Sequence, residues 1–299
     1  MREDALKKII EYEIKMFTRD SPANRMKSDG GPYFEGPLVG FADASDPLFQ
    51  DYKRIIGDFH ATPKELFEAE FGRESFSGGT VISWVLPIAA ATRKQNRKEK
   101  VVPAESWSHT RWFGEMFNEK LRRHVAAFLA GLGFRTLAPV LTKGWQRFAD
   151  TPVGHASTWS ERHAAYAAGL GTFSLNDGLI TERGIAQRCG SVVTELVLDP
   201  SERPYRGIRD YCLYFSEGTC GACIGRCPAG AISVTGHDKA RCFAHMRQTV
   251  MPRVSERYGV QVPGCGLCQT KVPCEERIPR PTRRATGRTR PGKFQQGDE

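Results

Sequence analysis

The chain has 299 residues, 40% of them hydrophobic, and a formal charge of +9 at neutral pH. That length suits one large domain with a small companion, and the absence of any apolar stretch near ~20 residues excludes membrane-spanning helices. The charge is uneven: residues 277–299 hold seven Lys/Arg against two Asp/Glu, so five of the nine net positive charges sit in a Pro- and Gly-rich tail.

In chain order, residues 3–17 read as an amphipathic helix, with neither the apolar core of a signal peptide nor a twin arginine. Residues 20–37 form a loop rich in Gly, Pro and Asp, and the apolar run from Pro37 to Asp43 begins a short strand or turn. Thr62, Pro63 and Glu65 carry a helix-start signature. Thr80–Pro87 is a strongly apolar strand. A long helix follows, with Ser106 as a candidate cap, with Phe113, Met116, Phe117, Leu121, Val125, Phe128 and Leu132 at helical spacing, and with Gly131 and Gly133 at its end. Thr136–Leu141 reads as a strand, Thr158–Ala168 as a helix and Ser191–Leu198 as a strand. This alternation predicts a layered α+β or α/β domain over residues 1–204.

Eight of the nine cysteines lie between Cys212 and Cys274. Cys220, Cys223 and Cys227-Pro228 fit the last three positions of the run C-x2-C-x2-C-x3-C-P, in which the final cysteine reaches across to a second iron–sulfur cluster. Cys242, Cys265, Cys268 and Cys274 supply the second half. In that crossed arrangement Cys227, Cys242, Cys265 and Cys268 hold one 4Fe–4S cluster, while Cys220, Cys223 and Cys274 hold three corners of the other. Glu217 stands where the first cysteine of the run would be. Cys212 is the expected replacement ligand, because soft thiolate suits the cluster better than carboxylate; a cluster with three protein ligands is the alternative. Two C-x2-C pairs can also bind zinc, but that leaves four cysteines unexplained, and disulfides need an oxidising compartment. A reducing, cytoplasmic setting is therefore expected. Cys189, beside a predicted strand, reads as a small buried residue. Residues 205–279 form the iron–sulfur module, and residues 280–299 a disordered basic tail able to contact RNA or an acidic protein.

A second stretch narrows the class. His155-Ala-Ser-Thr-Trp-Ser-Glu161-Arg162, then Ala168-Gly169-Leu170-Gly171, then Gly178-Leu-Ile and Gly190-Ser191-Val-Val precede the cysteine array. Over roughly residues 35–276 the chain resembles epoxyqueuosine reductases and the related corrinoid reductive dehalogenases. The resemblance implies a nitroreductase-like layered domain that binds cobalamin, followed by a small ferredoxin-like domain with two 4Fe–4S clusters. It implies an oxidoreductase that takes electrons from a flavodoxin or ferredoxin and passes them through the clusters to a corrinoid, for reductive removal of oxygen or halogen. The substrate class would be a small molecule or nucleoside, with tRNA as a further possibility. Where epoxyqueuosine reductases carry an aspartate proposed as proton donor, this sequence has His155, which can also donate near neutral pH. Cys268-x5-Cys274 is longer than the usual C-x3-C-P spacing of these relatives. Glu161, Arg162, Gly169, Gly171 and Ser191 are the candidate cofactor-binding residues, with Glu161-Arg162 readable equally as a solvated first-turn pair. Tyr33, Tyr166, Trp107 and Trp159 can wall a flat macrocycle or fill the core. The rival reading is a ferredoxin-type carrier or corrinoid-activating protein with no substrate of its own.

Overall fold

The computed structural model describes residues 3–281. The basic tail expected at 280–299 therefore lies, but for its first two residues, outside the described residues. The first helix, α1 (Glu3–Asp20), buries Leu6, Ile10 and Ile14. A loop fastened by the buried amide of Asn24, which bonds the Phe34 backbone on both sides, leads to β1 (Leu38–Asp43). Helices α2 (Leu48–Ile56) and α3 (Pro63–Phe71) follow. In α3 the expected start is present as a full capping box between Thr62 and Glu65, with Pro63 in the first turn, where its missing N–H costs nothing.

Strand β2 (Thr80–Pro87), the short α4 (Ala90–Asn96) and the long α5 (Glu105–Gly131) come next. Ala104, not Ser106, precedes α5 as its cap residue; its amide bonds Asn96 Oδ1, and the Ser106 hydroxyl is taken by Gln95. Then follow β3 (Thr136–Leu137), the hairpin β4 (Arg147–Phe148) and β5 (Ala156–Ser157), helix α6 (Glu161–Ala167), the hairpin β6 (Thr172–Phe173) and β7 (Leu179–Ile180), and β8 (Gln187–Thr194). β3 is shorter than expected because Pro139 opens a 3-10 turn. α6 starts three residues late because Thr158 stays extended, its amide bonding Gln146 O and its carbonyl bonding Ala61 N. β8 begins four residues before the predicted strand, since Gln187–Gly190 continue the pairing with β2.

The main sheet runs β1-β2-β8-β3 and every pairing is antiparallel, so the layered domain is α+β. β2 is buried on both faces, and its side chains alternate between two cores as a strand requires. Ile82, Trp84 and Leu86 pack with α1 and α5, against Ile10, Ile14, Phe117, Leu121, Val125 and Leu129. Val81 and Val85 face α2, α3 and α6. Each such fully buried apolar side chain contributes about 1.5–3 kcal/mol. Met116 and Leu132, counted in the predicted apolar stripe of α5, are exposed.

Beyond β8 the chain makes α7 (Leu213–Ser216), α8 (Ala222–Arg226), the hairpin β9 (Ile232–Ser233) and β10 (Gly236–His237), α9 (Lys239–His245), one π-helical turn and α10 (Met251–Tyr258). The last described segment returns to residues that precede β8. Ile185 N bonds Cys274 O, and Arg93 and Arg97 of α4 and its end pair with the buried Glu275 and with Glu276.

Candidate functional site

Cys212, Cys220, Cys223 and Cys274 converge on one small cavity of about 20 Å³. Apolar neighbours from the β6–β7 hairpin, Leu175 and Ile180, complete its wall. Burial, then the neighbouring Cys212 and Cys220, pushes the Cys223 thiol up to about 11. Burial, then Cys212, Cys223 and Cys220, also drives the Cys274 thiol up. Glu217 is exposed and does not line this cavity. Cys212, Cys220, Cys223 and Cys274 thus share one cavity, and Glu217 stands apart from it.

The remaining four cysteines form a second group. Burial, followed by Cys265, Cys242, Cys227 and Cys223, raises the Cys268 thiol; burial, with Cys242 and Cys227, pushes Cys265 up to about 11. Cys265 is carried on a tight loop whose Gly266 adopts a left-handed φ of +63°, and a Cβ there would meet the Trp107 ring at 2.0 Å. Trp107 thus supports the cysteine loop from within the core and does not face the cleft described below. Ala231 N–H donates to Cys227 Sγ at 3.3 Å. Among the described residues no His, Cys, Asp or Glu trio is gathered tightly enough to grip a single metal ion. Cube ligands each take a different iron, so their sulfurs stand farther apart than the ligands of one ion. The donor set and its apolar setting fit two cubes.

Arg226, at the end of α8, knits this region together. Its Nε donates to Leu267 O and Thr270 O, Nη1 to Glu99 O, and Nη2 to Asn96 O. Arg226→Ala strands buried carbonyls on both sides of the module, a loss of about 1–3 kcal/mol. The expected result is faster cluster loss under mild denaturant, followed by the decay of visible absorbance; a decay rate equal to that of the parent would contradict the role.

Beside the cysteine groups lies a cleft of about 390 Å³. Leu179 lines the cleft while its neighbour Ile180 lines the cysteine cavity, and Gln269, next to Cys268, lines the cleft from the module side. Its floor is a charged network. Arg122, 2% exposed, donates to Glu115 at 2.9 Å, to Glu161 at 3.1 Å and to Cys189 O at 3.2 Å. Arg188 also pairs with Glu115. Burial opposes the charge on Glu115, but Arg188 and Arg122 outweigh it and bring the carboxyl down to about 2. Burial wins at Glu161 and raises its pKa, against the pull of Arg122 and Ser191. Repulsion from Arg188, then burial, lowers the Arg111 guanidinium to about 9. The cleft rim adds Arg147, stacked 4.8 Å over the Trp145 ring, and Arg162. Cys189 lines the cleft as a thiol that burial pushes up to about 12.

The residues expected from the sequence fall in different places. Glu161, Arg162 and Trp159 line the cleft. Ser191 is fully buried behind it, accepting from Trp159 Nε1 at 3.0 Å and donating to Glu161. Gly169 and Gly171 do give close approach, but to the chain's own backbone: an added Cβ would meet Glu202 O at 2.3 Å and Ile180 O at 2.1 Å. Tyr33 and Tyr166 are core residues. His155 packs on Phe243 of α9, ring centroids 4.2 Å apart, outside the cleft lining; Arg147 and Ser157 of the same hairpin do line it. Glu115, Arg122 and Arg188 were missed by sequence reasoning. The available signal was the seven-residue spacing of Glu115 and Arg122, which puts both on one polar face of α5 together with Arg111, Asn118 and Glu119, opposite the apolar stripe.

No protein-family model matches the chain. It is 29% identical over 136 residues to an epoxyqueuosine reductase of Leadbetterella byssophila, covering 44% of this chain and 40% of that protein. It is 32% identical over 140 residues to one from Gloeobacter violaceus, with 44% and 40% covered. The chain thus aligns with less than half the length of these relatives. Among solved structures, an epoxyqueuosine reductase from Bacillus subtilis superposes with a TM-score of 0.52 at 17% identity, covering 92% of this chain and 66% of that one. A reductive dehalogenase in complex with 3-bromo-4-hydroxybenzoic acid superposes with a TM-score of 0.51 at 14% identity, covering 91% and 37%. In part of its sequence the chain is similar to epoxyqueuosine reductases, and in its fold it matches both these enzymes and a reductive dehalogenase, the group its motifs resemble.

Proposed function

We propose that the protein is an iron–sulfur reductase whose two 4Fe–4S clusters feed electrons to a corrinoid in the Arg122–Glu161 cleft, for reductive removal of oxygen or halogen from an organic substrate. The observation that carries this reading is the shared wall: Leu179 and Ile180 separate the cleft from a cavity lined by four cysteines. Cys212, Cys220, Cys223 and Cys274 would hold one cluster and Cys227, Cys242, Cys265 and Cys268 the other. When bound, the clusters supply single electrons and the corrinoid supplies the reducing centre. A cleft of this size takes a compact substrate or one face of a larger ligand. The side chains Arg147, Arg162 and Arg188 favour anionic groups there, and Trp145 and Trp159 offer aromatic walls. The charged network orients the cleft, and burial raises the pKa of Glu161 against the pull of Arg122 and Ser191, which makes this carboxyl the candidate proton donor.

Glu161→Gln keeps the hydrogen-bonding shape and removes the proton. Reduction of epoxyqueuosine or of 3-bromo-4-hydroxybenzoic acid by the cluster-loaded protein is expected to fall by roughly 10²–10⁴. His155→Ala, which alters a loop-borne ring outside the cleft lining, is expected to cost less than about tenfold. The opposite ranking would return proton delivery to His155. An epoxyqueuosine reductase has been seen with a tRNA stem loop, which makes a tRNA-borne nucleoside the first substrate to try. A protein that loads clusters but binds no corrinoid would instead be an electron carrier.

A further inference from the structure

Two hydrogen-bond donors of the cleft have nothing to donate to. Trp145 Nε1 and Arg188 Nε are buried atoms, and neither meets an acceptor among the described residues. Both side chains line the cleft. The other cleft tryptophan behaves differently: Trp159 Nε1 donates to Ser191 Oγ at 3.0 Å, as a buried indole ordinarily does. The Arg188 guanidinium is engaged on one nitrogen only, its Nη2 pairing with Glu115. A buried donor without an acceptor is costly, and a ligand entering the cleft can supply what the chain does not.

Both donors sit on fixed backbone. Arg188 lies in the β8 ladder, opposite Leu86 of β2. Trp145 is carried on a turn in which its own amide donates to Thr142 O at 3.2 Å and the Gln146 amide donates to Thr158 Oγ1 at 3.1 Å. The charges decide which acceptor suits them. Glu115 is shared by Arg122 and Arg188, and Glu161 is taken by Arg122. Arg147, stacked 4.8 Å over the Trp145 ring, and Arg162, which donates to Asp177 O, have no carboxylate partner among the described residues. The remaining lining carboxylate, Glu119, is exposed. A neutral carbonyl would satisfy the two donors, but an anion also answers the unpaired guanidinium beside them.

We propose that Trp145 Nε1, Arg188 Nε and the Arg147 guanidinium form an anion subsite, which takes a carboxylate or phosphate carried by the ligand of this cleft. The inference rests on the reductase reading above, in which substrate and corrinoid meet in the cleft. The anionic group then belongs either to an acidic or phosphorylated substrate or to the phosphodiester of the corrinoid.

The test is calorimetric titration of the full-length protein with benzoate, with phenyl phosphate and with neutral benzamide. At least one of the two anions is expected to bind roughly tenfold or more tightly than benzamide. Trp145→Phe keeps the ring and removes the donor; it is expected to weaken the anion by roughly tenfold and to leave benzamide unchanged. Arg147→Gln alters an exposed side chain and is expected to weaken the anion and to flatten its dependence on salt. Anions and benzamide that bind alike, or variants that weaken all three probes equally, overturn the subsite. A second arm adds cob(II)alamin, its binding followed by EPR: an anion that stays bound beside it stands for the substrate, and one that is displaced stands for the corrinoid phosphodiester. Anion preference with no corrinoid bound overturns the reductase reading alone, and corrinoid bound with no anion preference overturns the subsite alone.

Discussion

Replacing Cys274 with alanine is expected to remove one cluster and spare the other: about half the iron is lost and one of two reduced-cluster EPR signals persists. Cys274 shares its cavity with Cys212, Cys220 and Cys223, and its backbone is fixed by Ile185 N. Cys212→Ala should reproduce the loss, and Cys242→Ala should delete the complementary signal. Glu217→Ala should change neither, because Glu217 is exposed and away from the cavity. Loss of both signals from Cys274→Ala, or of neither, would contradict the grouping of the eight cysteines into two fours. Cluster loading should also depend on the β6–β7 hairpin, since Leu175 and Ile180 wall the Cys274 cavity.

Arg122→Ala carries the largest expected cost in stability. It leaves Glu115 and Glu161 facing each other in a buried site without their shared cation, and breaking a buried pair in this way costs about 3–5 kcal/mol. Urea unfolding followed by circular dichroism measures it; a midpoint within error of the parent would show that the network is not under stress. Acid provides a second reading of the same network. The folded-state value of Glu115, about 2, lies below its ordinary value of 4.5. Its ion pairs therefore add stability at pH values above the ordinary carboxylate range, and that stability drains away as pH falls toward 2. The amount is on the order of 3 kcal/mol, and Glu115→Gln should flatten this part of the stability–pH curve.

Local signals carried the sequence furthest. The capping box at Thr62–Glu65 and the apolar run of β2 each depend on residues close together in the chain, and each reappears in the structure. Ligand chemistry alone singles out Cys212, which lines one cavity with Cys220, Cys223 and Cys274. What stayed hidden was built from distant pieces. The cleft floor joins Glu115 and Arg122 on α5 with Glu161 on α6 and Arg188 on β8, three elements that no periodicity links to one another. The glycines of the Gly169-Leu170-Gly171 stretch signal close approach, but sequence could not say that the approaching atoms are Glu202 O and Ile180 O instead of a ligand. His155 was picked by its count from that stretch, and a count along the chain does not reveal that its ring turns toward Phe243.

The most direct measurement is an anaerobic titration of the cluster-loaded protein with cob(II)alamin, followed by EPR. A base-off cob(II)alamin signal that saturates near roughly one corrinoid per chain is the expected result, and it should weaken in Arg122→Ala, whose cleft is disrupted. Intact cluster signals alongside cobalamin that stays base-on and free would contradict the corrinoid site and leave the protein an electron carrier.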